Sequence, residues 1–509
     1  MEMSEIKETK EIKEENNSIK TETKEENIPP QSEIKEEKIP LPKYGKHKIE
    51  SCKQKFKSFF IDNIHDLPKM KQTIINLAIN SSLQPELIRP TAWKIFLKTL
   101  TYNDNLTIKD WLEETYNKRN EFKKKLNSLK EEYEAAKSGD SSKFSNFEEN
   151  SSIVHLIEID VERTYGDIKL FQDKYVRKME EEILYVFAKE NKPISYKQGM
   201  NEILAIFIHS FFPFYFTCNK KVKDKKEFDL WSKEPNKYLN EIYEYLHDED
   251  EFQSDLYYIM YNVMNIGLNK FYDDSNDLES PKEDPKTHLL LRCDNILLKL
   301  KKHNTRLYQH FMDIQLSAEI ILQRWLKCIF TREFTTEDCI LIWDNILANE
   351  FNIPSKNLEY IDYFCVAMFD YIGEDLLKHD QNECFLCLFK YPPFQTIDIL
   401  ITSAERVKAN ILKLDAQKDS IFSNLTSKFK DKFNNINISV PFFNKKNSEE
   451  EQRKKEQKKE DILAELKQLT DNKARIKQLK TILNKYKSKF YDDDKMKIDM
   501  ILNTLEKNV

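Results

Sequence analysis

Only six glycines occur in 509 residues, Gly45, Gly139, Gly166, Gly199, Gly267 and Gly373, and all stand far apart. Loops that cradle nucleotide phosphates need clustered glycines, so that several backbone N–H groups can approach one anion. No G-x-G, no G-x-x-x-x-G-K and no G-x-S-x-G occurs, which argues against a nucleotide site of the chain's own and against a serine-hydrolase elbow. Strand-like alternation bounded by glycine-containing turns is nearly absent. From about Cys52 to Pro393, apolar residues instead recur at helical spacing, punctuated by proline, Ser, Thr and Asp. Pro85 and Pro90 stand where first-turn prolines belong, and Thr335 with Asp338 matches a cap before CILIWDNILA. The fold class is therefore all-α, built from many short and medium helices.

Charge narrows the partners. There are 81 basic and 87 acidic residues, a net charge of -6, and no basic footprint for nucleic acid. The opening MEMSEIKETKEIKEE lacks the basic-then-apolar order of a signal peptide. The longest apolar run, 203–216, is interrupted by His209, Ser210 and Pro213, short of the roughly 18–20 residues of a bilayer span. These features predict a cytoplasmic chain with reduced cysteines. Cys384 and Cys387 form a C-x-x-C behind His379, but no fourth ligand is near, so core thiols and no metal are expected.

The domain reading begins with a charged, disordered tail over 1–48 and an all-α domain over 52–395. Polar surface insertions fall near 217–240 and 273–287. A helical extension follows over 396–433, then a linker over 434–447 that holds Phe442-Phe443, a candidate docking motif. Over 448–509, Ile462, Leu466, Leu469, Ile476, Leu479, Leu483, Tyr486 and Phe490 form a near-heptad stripe with Lys473 in a core slot. Self-association as a coiled coil and docking back onto the main domain are both open. Trp231, inside a charged insertion, is expected to tuck onto the core rather than anchor a partner.

Two segments could carry chemistry. In VHLIEIDVERTYGDI, the residues Ile153, Ile157, Asp160 and Thr164 share one helix face, which puts a carboxylate on an apolar stripe. Arg163 follows three residues later and can pair with Asp160 at the helix end, where a cation also suits the dipole; Gly166 permits the helix to stop. In KPISYKQGMNEILAIF, Ser195 and Gln198 have the spacing of a capping box. Gly199 allows close backbone approach by another helix or a ligand.

Taken in order, Ile157-Asp160-Arg163-Thr164 followed by Tyr196-Gln198-Gly199-Met200 resembles the signature of TBC-domain Rab GTPase-activating proteins. Arg89 and Trp93 match the R-x-x-x-W that opens that domain. Trp325, Arg332, Phe334, Trp343 and Asp344 resemble its later W…F-x-R-E-F…W-D stretch. The resemblance covers about 85–393, three-fifths of the chain, and leans toward the branch of the endosomal, retromer-associated fifth human TBC member through YKQGMNEILA and LSAEIILQRWLKCIFTREF. Gly166 departs from the proline expected after R-T-aromatic.

The resemblance implies a GTPase activator, not itself a hydrolase. Its partner would be a Rab-family small GTPase in the GTP form, which brings its own GTP and Mg²⁺, so no cofactor of this chain is implied. Arg163 would act as an arginine finger and Gln198 as a glutamine finger. Asp160 would hold Arg163, with Thr164, Tyr196 and Gly199 in support. Arg89 and Trp93 would serve structure, by stacking of guanidinium on indole. Peripheral recruitment to endosomal or other trafficking membranes is the implied location. The rival reading is a catalytically silent TBC scaffold that recruits coat or trafficking partners there; keeping both Arg163 and Gln198 favours activity.

Overall fold

A computed structural model describes residues 43–141, 145–218, 222, 225–273 and 286–434. The described residues up to Asp419 form one compact unit; of the second, Ser420–Val509, the described part is helical through Asn434. Among the described residues no strand forms; β pairing is confined to isolated bridge residues, of which Phe216 and Asp248 pair with each other. The expected coiled-coil segment 448–509 and Phe442-Phe443 lie outside the described residues, as does 1–42.

Local chemistry explains where helices start. Thr107 and Asp110 form a reciprocal capping box that opens Ile108–Ser138, and Gly139 closes that helix in the left-handed region at φ 78°. Asp173 accepts from the backbone N–H groups of Tyr175 and Val176 to start Lys174–Glu190. Thr335 caps Thr336–Asn352 through the Asp338 N–H, as its spacing predicts. Pro90 lies in the first turn of Arg89–Phe96. Pro85 opens no helix, because Leu87 takes φ 57° and turns the chain before one can propagate.

Two boundaries move. The folded part begins before residue 48: Tyr44 donates its N–H to the Pro213 carbonyl at 3.1 Å, and Lys46–Phe56 is a helix. The charged stretch after Cys218 contains a helix, Lys226–Lys233, that packs on Ile108–Ser138. There Trp231 is 2% exposed among Phe228 and Tyr245, a core residue as expected.

The centre of the domain is the almost wholly buried helix Met200–Phe211. Phe207 meets Trp93 edge-on at 5.5 Å and Trp343 at 5.3 Å, so three helices converge on one aromatic cluster. Beside it, Asp344, fully buried, accepts from Arg89 through Nε at 2.9 Å and through a terminal nitrogen at 2.8 Å. Trp93 Nε1 donates to the same carboxylate at 2.7 Å. Arg89 and Trp93 are thus joined through a shared carboxylate and not by stacking. A second buried carboxylate, Asp255, takes a two-pronged Arg119 (2.8 Å on each oxygen), Lys94 at 2.9 Å and the Tyr215 hydroxyl at 2.6 Å. Burial works to raise its pKa, yet Arg119 and Lys94 hold it well below the usual carboxylate range.

The loop that precedes Met200–Phe211 is pinned from the other side. Gly199 has φ 102°, and a Cβ there would stand 3.2 Å from the Lys327 carbonyl oxygen and 3.3 Å from Cys328 Sγ. The end of helix Ala318–Cys328 therefore abuts the glycine directly. Arg332 and Thr331 then clamp Glu202 in the first turn of the central helix; the Arg332–Glu202 pair is 2.8 Å long.

Gly199→Ala combines a strained φ with a tight approach to the Lys327 carbonyl and should lower unfolding stability by about 1–3 kcal/mol in denaturant titrations. His247, 2% exposed, is pushed down to about 3 from 6.5 by burial and then by the Lys94 ammonium. Its ring stays neutral in the fold while the unfolded chain takes a proton below pH ~6.5. Stability should therefore fall as pH drops through that window, by about 2 kcal/mol between pH 7 and 5 from this group. Urea titrations at both pH values should show that loss shrinking by about the same amount in His247→Phe.

Candidate functional site

Arg163 is the last residue of helix Phe147–Arg163. Ile157, Asp160 and Thr164 are buried on the face that the spacing predicts. The Thr164 hydroxyl donates back to the Asp160 carbonyl at 2.9 Å and closes the final turn. Tyr165 then takes φ 39° and reverses the chain, its ring against Phe171 at 5.4 Å. Gly166 carries no positive φ, and a Cβ there would meet open space. What holds the turn behind Arg163 is the Tyr165–Phe171 contact and a 2.8 Å bond from Gln172 Nε2 to the Gly166 carbonyl. The helix stop expected of Gly166 is made earlier, where Thr164 turns extended at ψ 115° and Tyr165 then takes a positive φ.

The expected Asp160–Arg163 pair is not formed. Asp160 is 8% exposed and points inward, where Tyr196 donates its hydroxyl to Oδ2 at 2.7 Å and Gln198 Nε2 stands 3.5 Å from Oδ1. With both oxygens taken, the carboxylate binds the loop and not its helix neighbour. Arg163 is exposed, and its guanidinium makes no hydrogen bond or ion pair with any described residue.

The capping box is not formed either. The Ser195 N–H bonds to the Asn191 carbonyl at 2.8 Å, Ser195 takes φ 57°, and Gly199 becomes the N-cap of Met200–Phe211. Gln198 therefore lies outside the helix with an exposed side chain, free of any capping duty beyond its long contact to Asp160. Tyr196 is buried; burial, then its bond to Asp160, push its pKa up, so it stays a proton donor to that carboxylate.

Asn201 completes the site and escaped the sequence reading. Its Nδ2 donates to Thr164 Oγ1 at 2.9 Å and to the Asp160 carbonyl at 3.2 Å, while its Oδ1 accepts the Gly199 N–H at 3.2 Å. One 5%-exposed carboxamide thus ties the end of the Arg163 helix to the start of the Gln198 loop. The available signal was a lone amide at the head of the apolar run MNEILAIF. Thr164, Tyr196, Asp160 and Gly199 all belong to this frame; Arg89 and Trp93 lie in the core cluster with Asp344. The other motif residues also divide: Trp325 and Phe334 are buried, whereas Arg332 reaches Glu202. Among the described residues, no group of three His, Cys, Asp or Glu side chains is arranged to hold a metal. Nor is any described helix long and apolar enough to cross a membrane.

An exposed arginine and an exposed glutamine, fixed at their bases by one buried polar frame, can present a planar cation and a carboxamide to a reacting group on another molecule. The Rab-GTPase-TBC domain model matches residues 86–377. TBC1 domain family member 5 of Mus musculus is 27% identical over 364 residues, covering 65% of this chain and 42% of that protein. The human protein of that name is 25% identical over 386 residues, covering 70% and 45%. GTPase-activating protein GYP1 of Saccharomyces cerevisiae is 24% identical over 264 residues, covering 52% and 35%. The chain thus spans less than half the length of these curated relatives. A crystal structure of the Ypt/Rab-GAP domain of Gyp1p aligns with TM-score 0.48 at 21% identity, over 67% of this chain and 92% of that one. Because the family model takes in more than half of the residues, with Arg89, Arg163, Gln198 and Asp344 all inside the match, the chain belongs to the Rab-GTPase-TBC domain family.

Proposed function

We propose that this protein accelerates GTP hydrolysis by a Rab-family small GTPase in its GTP form, with Arg163 and Gln198 supplied in trans. The observation that carries the proposal is the division of labour around Asp160. The carboxylate and Asn201 hold the two segments from beneath, and both candidate side chains stay exposed above. The GTPase brings GTP and Mg²⁺. What it lacks is fixed positive charge where negative charge builds on the γ-phosphoryl oxygens and a group that aligns the attacking water. Arg163 supplies the first through a fork that lysine does not reproduce, and Gln198 supplies the second. Because Arg163 pairs with no carboxylate among the described residues, docking forfeits no ion pair with any of them.

Such a finger is worth about 10³–10⁵ in rate, or roughly 4–7 kcal/mol of barrier. The GYP1 relative carries the name GTPase-activating protein, which supports the reaction class for this chain. The sequence likeness to the endosomal TBC branch supports a trafficking membrane as the setting, with this chain recruited from outside the bilayer.

Single-turnover hydrolysis across a panel of Rab proteins tests the proposal. Wild type should accelerate at least one. Arg163→Ala and Gln198→Ala should each lose at least about a hundredfold of that acceleration, and Arg163→Lys should recover little of it. Both sites are exposed, so the variants should unfold within about 0.5 kcal/mol of wild type. Acceleration that survives both substitutions would refute the finger roles. Failure of every Rab to respond would favour a silent scaffold.

A further inference from the structure

The cleft next to Gln198 differs in charge from the rest of the chain. It has a volume of about 360 Å³ and is lined by Lys197, Arg324, Lys327 and Arg332 with Gln198 and Tyr272, and among the described residues no carboxylate lines it. Four cations around one opening are notable on a chain whose net charge is -6. The acidic partners of the two arginines lie beneath. Glu333, its side chain 1% exposed, takes Arg324 Nε at 2.6 Å, and Glu202, 17% exposed, takes Arg332 at 2.8 Å. These bonds orient the guanidinium groups, and the two arginine side chains stay 24% and 40% exposed. The Lys327 ammonium is exposed and pairs with no described residue. Its own backbone is anchored, since the Tyr272 hydroxyl donates to the Lys327 carbonyl and Gly199 abuts it.

We propose that this cleft receives an acidic segment of the partner GTPase, bordering the nucleotide site that Gln198 would enter. The inference rests on the activator reading and extends it to how the partner is chosen. An oriented, pre-paired basic cleft contiguous with a proposed catalytic side chain favours carboxylates arriving on that same partner. Complementarity of this kind acts on encounter and register more than on the chemical step.

The test uses the full chain and a Rab that responds to it, comparing wild type with Lys327→Ala, Lys327→Glu and Lys327→Arg at low and near-physiological salt. Removing the charge should raise the half-saturating concentration about two- to fivefold, and reversing it about three- to twentyfold, with the maximal rate within about twofold and Lys327→Arg close to wild type. Added salt should weaken wild type more than Lys327→Glu. Lys327 has no side-chain partner among the described residues, so unchanged thermal unfolding should accompany these shifts. If wild type accelerates hydrolysis while Lys327→Glu keeps the wild-type half-saturation and salt response, the docking inference is overturned and the activator reading stands. If no Rab responds to wild type, both fall together.

Discussion

The buried contact of Arg89 and Trp93 with Asp344 is the constraint on which the domain depends. It joins residues 255 and 251 positions apart, and three donors satisfy a carboxylate that has no access to water. Removing either side would leave an uncompensated buried charge, a loss of about 3–5 kcal/mol, which is a large share of the stability of an ordinary domain. Trp93 also packs on Phe207, and Phe207 on Trp343, so the same contact fixes the central helix between the first and later parts of the fold. The head of that helix carries Gly199, Asn201 and Glu202. The position of the Gln198 loop is thus inherited from a cluster that takes no part in the proposed chemistry.

At the site itself, neighbours in sequence have opposite tasks. Asp160 and Thr164 are buried and bonded across to the loop, whereas Arg163 between them is exposed. Tyr196 is buried on Asp160, and Gln198, two residues on, is exposed. Fixing the bases while leaving the tips free lowers the ordering cost of meeting a partner without spending the cation on an internal pair. Asn201 makes the frame continuous, because one amide spans two segments about 40 residues apart in sequence.

Much of this was legible in the sequence. Helical periodicity, cap spacing and scarce glycine sufficed for an all-α domain, and the ordered motifs singled out the residues that the structure gathers around Asp160 and Asp344. What could not be read was who pairs with whom. Spacing put Arg163 within reach of Asp160, but a tyrosine 36 positions away takes that carboxylate. Local propensity favoured Ser195 as a cap, but the tertiary approach of Lys327 and Cys328 favours Gly199 at the helix start. In each case a partner remote in sequence outweighed the neighbour that spacing suggested, and periodicity carries no information about remote partners.

The most direct measurement is assembly with a transition-state mimic: binding of this protein to a GDP-loaded Rab in the presence and absence of aluminium fluoride. Side chains that act on the transferring phosphoryl group bind its mimic far more tightly than the ground state, by factors of about 10² or more. The account predicts a stable complex that forms only with aluminium fluoride and is lost in both Arg163→Ala and Gln198→Ala. A complex equally stable without the mimic, or unaffected by the two substitutions, would contradict it.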